Sequence, residues 1–393
     1  MLKSKQIRDG VYWVGAADWN RRLFDALVPL PDGTSYNAYL VIGSEKTALI
    51  DSVDPAMSGV LLTHLEGVER IDYIVSHHAE QDHSGAIPAV LEKYPEAKVV
   101  TNEKARALLS THLPISDDRF MIIKEGDTLD LGGKTLEFIS TPWVHWPETF
   151  VSYLKEDRIL FTCDLFGSHL ATPELYSSKS EKVCEAVKRY YAEVMMPFRK
   201  IIRKNLEKIS EYEIDIIAPS HGPVHNEPKV VMAQHREWVS DELKNIVVLP
   251  YVSMHGSTER MVDFLTEALT EEGIRVERFD LTVTDLGSFA ISLVDAATLI
   301  VATPSFLTGA HPTVVSAAFL ANALKPKLRY GAVIGSFGWG TRLVDQCTDL
   351  LKGLKLDYAE PVLIKGEPRD EAFAALSALA KDIKAKHDEA GII

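Results

Sequence analysis

The chain has 393 residues, of which 46% are hydrophobic and 25% are charged, as in a globular protein with more than one core. Its net charge of −14 argues against nucleic acid and anionic membrane as main partners, since both attract basic surfaces. The sequence has no stretch like a signal peptide and no run near the roughly 20 apolar residues of a membrane span. Its three cysteines include no CxxC pair, so we expect neither disulfides nor an attached rubredoxin module. A reducing cytoplasm is the expected location.

Short strands separated by turns make up the first half of the chain. Stretches rich in β-branched and aromatic residues predict strands at YNAYLVIG, KTALIDS, IDYIVS, AKVVTN, KTLEFIST, FVSYL and RILFTCD. Helical patterns lie between some of these strands, including residues 87–93, and a longer helix is predicted over residues 181–209. The polar, helix-prone stretch 227–244 is interpreted as a connector.

A turn rich in metal-ligand side chains follows the apolar run 71–75, which is typical of a buried strand. The segment IVSHHAEQDHSGAIPAV, residues 74–90, places three histidines, one glutamate and one aspartate within seven positions. Side chains at this spacing share neither a helix face nor a strand face, so they converge only if the backbone turns around something. A cation would neutralise carboxylates that otherwise repel one another. A polar loop that faces water is the alternative for this cluster alone.

Three later strands end in the same way, each with a sharp turn and one ligand-type residue. STPWVHWPE presents His145, RILFTCDLFG presents Asp164, and IDIIAPSHGPV presents His221. Strand ends that meet at one edge would bring together the candidate ligands His78, Glu80, Asp82, His83, His145, Asp164 and His221. This set exceeds the roughly four ligands of one zinc ion, so it predicts two metals with Asp164 as the bridge. A mixed nitrogen and oxygen site without thiolate favours non-haem iron, and a zinc pair is the alternative.

The second half changes to a regular alternation of apolar strands and amphipathic helices. The strands NIVVLPY, IRVERFD, ATLIVATP, YGAVIGSF and DYAEPVLI predict a parallel, doubly wound sheet that starts at Asn245. We therefore expect two domains, residues 1–244 and residues 245–393.

An anion-binding loop is predicted between the first strand and the first helix of this half. In IVVLPYVSMHGSTERMVDFL, serine and threonine offer hydroxyls, glycine lets the backbone approach closely, and the helix start aims free amides at an anion. The loop is neither GxxxxGK[ST] nor GxGxxG, and it resembles the flavodoxin phosphate loop, which implies FMN. ATPSFLTGAHP and GSFGWGT end the third and fourth strands, where they would flank the flavin ring. The predicted FMN contacts are Ser253, Met254, His255, Gly256, Ser257, Thr258, Pro304, Ser305, Phe306, Ser336, Phe337, Gly338, Trp339 and Gly340; a plain turn is the alternative for each loop alone.

The first half resembles the metallo-β-lactamase fold, whose zinc members use HxHxDH. Here HAEQDH has Glu80 in place of the second histidine. This change, together with the VHWP segment and the flavodoxin-like half, resembles the flavodiiron protein family over nearly the whole chain. The resemblance implies an αββα sandwich followed by a flavodoxin-like sheet, a combination of α+β and α/β architecture. It also implies one iron held by His78, Glu80 and His145, a second iron held by Asp82, His83 and His221, and Asp164 between them.

The resemblance further implies reduction of dioxygen to water, of nitric oxide to nitrous oxide, or both, with electrons relayed through FMN to the irons. It implies a rubredoxin-like electron donor and a head-to-tail homodimer or dimer of dimers. Three alternatives stay open: a family member that oxidises a reduced deazaflavin coenzyme, a zinc hydrolase with an accessory flavodoxin domain, and a non-catalytic FMN electron carrier. Tyr190 or Tyr191 is expected to approach the site as a proton donor, and Tyr191 is taken as the catalytic residue.

Overall fold

The computed structural model describes residues 4–392, and the chain divides into two compact units. The first unit comprises the chain up to Tyr191 together with Phe198–Val239. The second comprises Ala192–Pro197 together with the chain from Ser240 onward. Within residues 4–392, no helix has both the length and the apolar character that crossing a membrane requires.

From residue 4 onward, the first unit contains short strands and seven α-helices. Its strands are β1 (Lys5–Arg8), β2 (Val11–Trp13), β3 (Ala16–Asp18), β4 (Leu23–Phe24), β5 (Val28–Pro29), β6 (Thr34–Tyr36), β7 (Tyr39–Ile42), β8 (Thr47–Ile50), β9 (Tyr73–Val75), β10 (Lys98–Thr101), β11 (Phe120–Ile122), β12 (Thr128–Asp130), β13 (Thr135–Ser140), β14 (Phe150–Leu154), β15 (Ile159–Cys163) and β16 (Ile216–Pro219). Its helices are α1 (Ser58–His64), α2 (Gln81–Ser84), α3 (Ile87–Lys93), α4 (Glu103–His112), α5 (Glu181–Tyr190), α6 (Arg199–Ile209) and α7 (Pro228–Val239).

Two sheets packed face to face form the core of this unit. The first has the order β1-β2-β7-β8-β9-β10-β11, and the second has the order β12-β13-β14-β15-β16. Their inner faces share one buried hydrophobic cluster that includes Tyr39, Phe138 and Phe161. A second cluster, with Leu61 of α1 and Ile87 of α3, covers the outer face of the first sheet. Together with α6 and α7 this arrangement confirms the predicted αββα sandwich.

Two sequence predictions near the end of this unit were wrong. The predicted helix over residues 181–209 is interrupted, because α5 gives way to a π-helix at Tyr191–Met195 and a short 3₁₀ turn at Met196–Phe198 before α6 begins. Pro197 lies in that turn, and proline has no amide to continue a helix. The predicted connector 227–244 is instead mostly α7, whose Trp238 is buried within the first unit.

The second unit alternates strands and helices as the sequence predicted. Its strands are β17 (Lys244–Tyr251), β18 (Arg275–Asp280), β19 (Ala296–Phe306), β20 (Gly309–Ala310), β21 (Tyr330–Phe337), β22 (Asp357–Tyr358) and β23 (Val362–Lys365). Its helices are α8 (Ser257–Glu271), α9 (Leu286–Leu293), α10 (Pro312–Leu324), α11 (Leu343–Leu350) and α12 (Asp370–Glu389).

The sheet of the second unit is doubly wound. Its parallel strands have the order β18-β17-β19-β21-β22, β23 also pairs with β21, and β20 folds back antiparallel onto β19. Helices α8 and α12 share a buried cluster with the sheet, while α10 packs against α9 and α11. Because β18 and β19 lie on opposite sides of β17, a crevice for a ligand is expected at the carboxyl ends of β17 and β19.

A buried histidine joins the last helix to this sheet. His387 of α12 is fully buried, with Nε2 2.7 Å from Thr298 Oγ1 and Nδ1 2.8 Å from Asn245 Oδ1. Burial lowers the pKa of His387 to about 4. The folded unit therefore keeps this ring neutral at a pH at which the unfolded chain protonates it.

We predict that acid destabilises the second unit through His387. Because the pKa of His387 is lower in the folded than in the unfolded state, its contribution to the free energy of unfolding is complete above about pH 6.5 and is lost as the pH falls toward 4. At pH 5 the free energy of unfolding should be about 1–2 kcal/mol lower than at pH 7. Hydrogen exchange of β17 and β19 peptides over a urea series at pH 7 and pH 5 measures this loss. His387→Leu should lower stability at pH 7 and weaken the pH dependence, and an unchanged pH dependence in the variant would contradict the assignment.

Candidate functional site

The candidate ligands of the first unit converge where strands of both sheets end. Parallel pairing of β15 with β16 brings their carboxyl ends together, and β9 ends at the same edge. The ligands comprise His78 and Glu80 after β9, Asp82 and His83 on α2, His145 in the loop between β13 and β14, Asp164 directly after β15, and His221 after β16.

One group of ligands surrounds Glu80. The Nε2 atoms of His78 and His145 each lie 3.1 Å from Glu80 Oε2. The same two nitrogen atoms lie 3.6 Å from Asp164 Oδ2. We call this group, with its share of Asp164, the outer position, because the side chains of Glu80 and His145 keep 15% and 17% of their surface exposed.

A second group lies on the other side of Asp164, and we call it the inner position. His83 Nε2 is 3.0 Å from Asp164 Oδ1, and His221 Nε2 is 3.4 Å from the same oxygen. His221 Nε2 is also 3.1 Å from Asp82 Oδ2. Asp164 therefore presents Oδ2 to the outer position and Oδ1 to the inner one, which is the geometry of a bridging carboxylate.

Several atoms of this cluster lack the partners that buried polar groups normally have. Both oxygens of Asp82, both ring nitrogens of His83 and Oδ2 of Asp164 are buried without a hydrogen-bond partner among the described residues. Such atoms destabilise a protein unless something else satisfies them. Donors about 2.1 Å from a shared ion stand about 3 Å apart, which matches the observed spacing. The donor set thus fits a pair of metal ions, and histidine with carboxylate suits iron.

The charge balance also indicates cations. Burial alone would lower the pKa of each buried histidine, but the neighbouring carboxylates reverse the shift. The pKa values of His78 and His83 rise to about 9, and that of His221 rises to about 10. Without metal the cluster therefore binds protons in place of the ions, and a metal has to displace them.

A glutamate that the sequence analysis missed lies behind the outer position. Glu148 Oε1 is 2.7 Å from His78 Nδ1 and accepts a hydrogen bond from the Ala79 amide at 3.1 Å. This contact places the His78 proton on Nδ1 and leaves Nε2 for a metal. The only sequence signal for Glu148 was its place in VHWPE, three residues after His145.

The tyrosine prediction needs a correction. The hydroxyl of Tyr191 is 3.3 Å from the backbone carbonyl of Trp238, so it points away from the cluster. It is the hydroxyl of Tyr190 that donates to Asp164 Oδ1, at 2.8 Å. Burial and the Asp164 charge hold the pKa of Tyr190 well above its usual range. Successive residues of a helix point about 100° apart, so only one of the two can face the site.

A cysteine that the sequence analysis did not place at the site lies beside it. Cys163 Sγ is within 4.8 Å of a His83 nitrogen and an Asp164 oxygen. Burial, followed by the charges of Asp164 and Asp51, raises the pKa of Cys163 well above its usual value.

Two neighbouring histidines serve the scaffold. His77 Nδ1 is 2.8 Å from Asp51 Oδ2, and its Nε2 is 2.9 Å from Ser152 Oγ, so its ring points away from the cluster. His169 Nδ1 is 2.9 Å from Thr34 Oγ1, and its ring packs 5.0 Å from that of His221.

In the second unit, the three predicted FMN loops meet at the carboxyl ends of β17, β19 and β21. Ser253 Oγ accepts hydrogen bonds from the Gly256 and Glu259 amides, which shapes the first loop. Gly256 has φ +86°, a conformation that favours glycine, and α8 starts at the next residue. Thr258 Oγ1 is 3.1 Å from Ser336 Oγ, which joins the first loop to the third.

The second and third loops are joined as well. Ser305 Oγ donates to the Gly340 carbonyl at 3.3 Å. Met254, Phe306 and Trp339 expose 42%, 42% and 82% of their surface around these loops. An anion site at a helix start bordered by exposed apolar side chains fits a ligand with a phosphate and a flat apolar ring.

Comparison with known proteins gives one match to part of the chain and several matches to nearly all of it. A family model described as ODP family beta lactamase matches residues 34–222. A protein of Moorella thermoacetica named nitric oxide reductase is 33% identical over 397 residues, covering 98% of this chain and 99% of that protein. The solved structure of rubredoxin oxygen:oxidoreductase from Desulfovibrio gigas matches with a TM-score of 0.94 at 31% identity, covering 98% and 99% of the two chains. That of the flavodiiron protein from Giardia intestinalis matches with a TM-score of 0.93 at 27% identity, covering 98% and 97%.

We predict that metal binding to the metal-free protein at pH 7 releases protons from His78, His83 and His221. Their pKa values lie above 7, so the rings are protonated before an ion binds and must be neutral afterwards. Affinity should therefore rise with pH up to about 10, where His221 loses its proton. Titration calorimetry in buffers with different ionisation enthalpies counts the protons. The control variant His112→Gln, changed at the exposed end of α4, should release the same number of protons as the wild type. Release of fewer than about one proton by the wild type would contradict the raised pKa values.

Proposed function

Since the chain belongs to the flavodiiron protein family, we propose that it is an oxidoreductase that reduces dioxygen to water, nitric oxide to nitrous oxide, or both. Electrons would pass through FMN in the second unit to two irons in the first. The observation that carries the proposal is Asp164, a buried carboxylate shared by two groups of nitrogen and oxygen donors. The meeting of three loops at the flavin crevice supports the second cofactor.

The residues of the first unit would hold the metals and control access to them. His78, Glu80 and His145 would hold one iron, Asp82, His83 and His221 the other, and Asp164 both. When bound, two irons and FMN would store four electrons, which is the number needed to reduce one dioxygen to water. Because Glu80 and His145 are the partly exposed ligands, a small gas would enter at the outer position.

Tyr190 takes the role that the sequence analysis gave to Tyr191. Its hydroxyl donates to Asp164 Oδ1, which fixes the direction of the bridging carboxylate. The raised pKa keeps the phenol protonated, so Tyr190 can hold a proton next to the reacting atoms.

The loops of the second unit would hold FMN. The hydroxyls of Ser253 and Thr258 and the first amides of α8 would bind the phosphate. Phe306 and Trp339, which are exposed at the neighbouring loops, would pack on the ring.

The donor and the assembly follow from the same proposal. A rubredoxin-like protein is the proposed donor, supported by the name of the Desulfovibrio gigas structure. A cytoplasmic head-to-tail homodimer, or a dimer of such dimers, is proposed from the family resemblance. The three cysteines are free thiols, which is consistent with a reducing compartment.

We predict that iron-loaded, FMN-loaded protein consumes dioxygen or nitric oxide when it is supplied anaerobically with reduced rubredoxin. Gas electrodes measure the rate for each gas, and a parallel assay with a reduced deazaflavin tests the alternative donor. Asp164→Ala should lower the rate at least about 100-fold, because the loss of a ligand shared by both positions disrupts the metal site. A protein that takes up zinc but no iron would support the hydrolase. A protein whose FMN is reduced and reoxidised without gas consumption would support the electron carrier.

We also predict that the two cofactors can be lost separately. In Thr258→Glu a negative charge would occupy the start of α8, so FMN should be lost while iron content stays normal, because the two units have separate cores. Thr270→Glu, exposed near the other end of α8, is the matched control and should retain FMN. Flavin absorbance and elemental analysis give both contents. Wild-type turnover with rubredoxin in an FMN-free variant would contradict the relay.

A further inference from the structure

The two metal positions have matched direct ligands. Each has two histidines, one carboxylate of its own and one oxygen of the shared Asp164. Equal donors and equal charge would give the two irons similar affinities for an electron. Besides the partial exposure of Glu80 and His145, a difference between the two irons would therefore come from the groups that contact the ligands from behind.

The groups behind the histidines are not matched. In the outer position, His78 Nδ1 lies 2.7 Å from a carboxylate oxygen of Glu148, and neither side chain has exposed surface. In the inner position, His221 Nδ1 donates to the neutral backbone carbonyl of Ser35 at 2.7 Å. The Nδ1 of His83 has no hydrogen-bond partner among the described residues. One position thus has a carboxylate in direct contact with a ligating histidine, whereas no carboxylate contacts Nδ1 of either inner histidine. The charge of Asp51 acts on His83 on the inner side, but Asp51 is itself paired with His77.

Glu148 is firmly held in this place. Besides His78 Nδ1, its Oε1 accepts from the Ala79 amide, and its backbone carbonyl accepts from Asn102 Nδ2 at 2.6 Å. No lysine or arginine of the described residues forms an ion pair with Glu148, and its Oε2 has no hydrogen-bond partner there. The charge is therefore directed toward His78 without another cation to offset it.

We propose that Glu148 is a positioning residue that makes the outer iron the harder of the two to reduce. This inference rests on the proposed diiron function. A carboxylate that accepts the Nδ1 proton increases the basicity of the ligating Nε2, and a more basic ligand favours Fe³⁺ over Fe²⁺. In the iron-loaded protein, the first electron supplied through FMN would accordingly go to the inner iron, as Fe³⁺ + e⁻ → Fe²⁺, and the second would go to the outer iron. Between these steps the pair is Fe²⁺ at the inner position and Fe³⁺ at the outer position.

Glu148→Gln tests the proposal, because glutamine keeps an oxygen that can accept from His78 Nδ1 but removes the charge. Iron-loaded protein is titrated anaerobically with dithionite and redox mediators, and electron paramagnetic resonance follows the half-reduced pair. The variant should raise the lower of the two potentials by an amount that corresponds to about tenfold in the equilibrium constant, or about 59 mV for one electron. The steps then move closer together, and the largest half-reduced fraction falls.

Glu125→Gln is the matched control. Glu125 lines the same cavity of about 820 Å³ as Glu148, but it pairs with Lys208 at the surface. This variant should leave both potentials unchanged. Equal potentials in Glu148→Gln and wild type, at equal iron content, would overturn the proposal.

A measurement on the wild type covers the case in which Glu148→Gln fails to retain iron. Mössbauer spectra of half-reduced, ⁵⁷Fe-loaded protein should show one ferrous and one ferric site. A pair that passes from diferric to diferrous without a half-reduced state would overturn the inference. Protein that binds zinc and excludes iron would defeat the proposed function itself, which is a different result.

Discussion

The buried charge of Asp164 and its neighbouring carboxylates is the constraint on which the first unit depends. Asp82 and Asp164 are almost completely buried, and isolated carboxylates in that environment would be strongly destabilising. Four imidazoles surround them, and the raised pKa values of His78, His83 and His221 indicate that the pocket favours positive charge. Strands of both sheets of the sandwich end at this pocket, and each of these ends contributes one or more donor side chains. Bound metal ions would supply this positive charge. They would also bind the buried atoms of Asp82 and His83 that have no hydrogen-bond partner among the described residues.

The second unit would bind an anion instead of cations, and it would do so without lysine or arginine side chains. Its proposed phosphate loop has no lysine or arginine among residues 253–258 and would bind through hydroxyls and the amides at the start of α8. In both units most of the candidate binding groups follow the carboxyl ends of parallel strands, whereas His145 follows the antiparallel strand β13. A rigid sheet fixes the positions of the loops that carry these groups. In the proposed function, one chain would thus combine a site for cations and a site for an anion, each built on its own core.

Much of this architecture was readable from the sequence because strand ends and ligand residues are local signals. Strand β15 runs directly into Asp164 and strand β16 almost directly into His221, so their pairing could be expected to bring these residues together. The contact between His78 and Glu148 spans 70 positions and depends on how the loop before β14 folds back, which no local pattern encodes. The choice between Tyr190 and Tyr191 depends on the rotational phase at the end of α5, just where a π-helix begins. The hydrophobic pattern around 181–209 was helical throughout, and it did not register the break near Pro197.

The unequal exposure of the two positions has a consequence for how the protein acquires its metals. Within the ligand set, Glu80 and His145 lie at the partly open side, while Asp82, His83 and His221 are closed off behind Asp164. In the proposed diiron protein, an arriving ion would meet the outer position first and would have to pass it to reach the inner one. An ion in the outer position would close off the one behind it. Loading would therefore be ordered, inner before outer, and the inner ion would exchange with the surroundings more slowly than its neighbour.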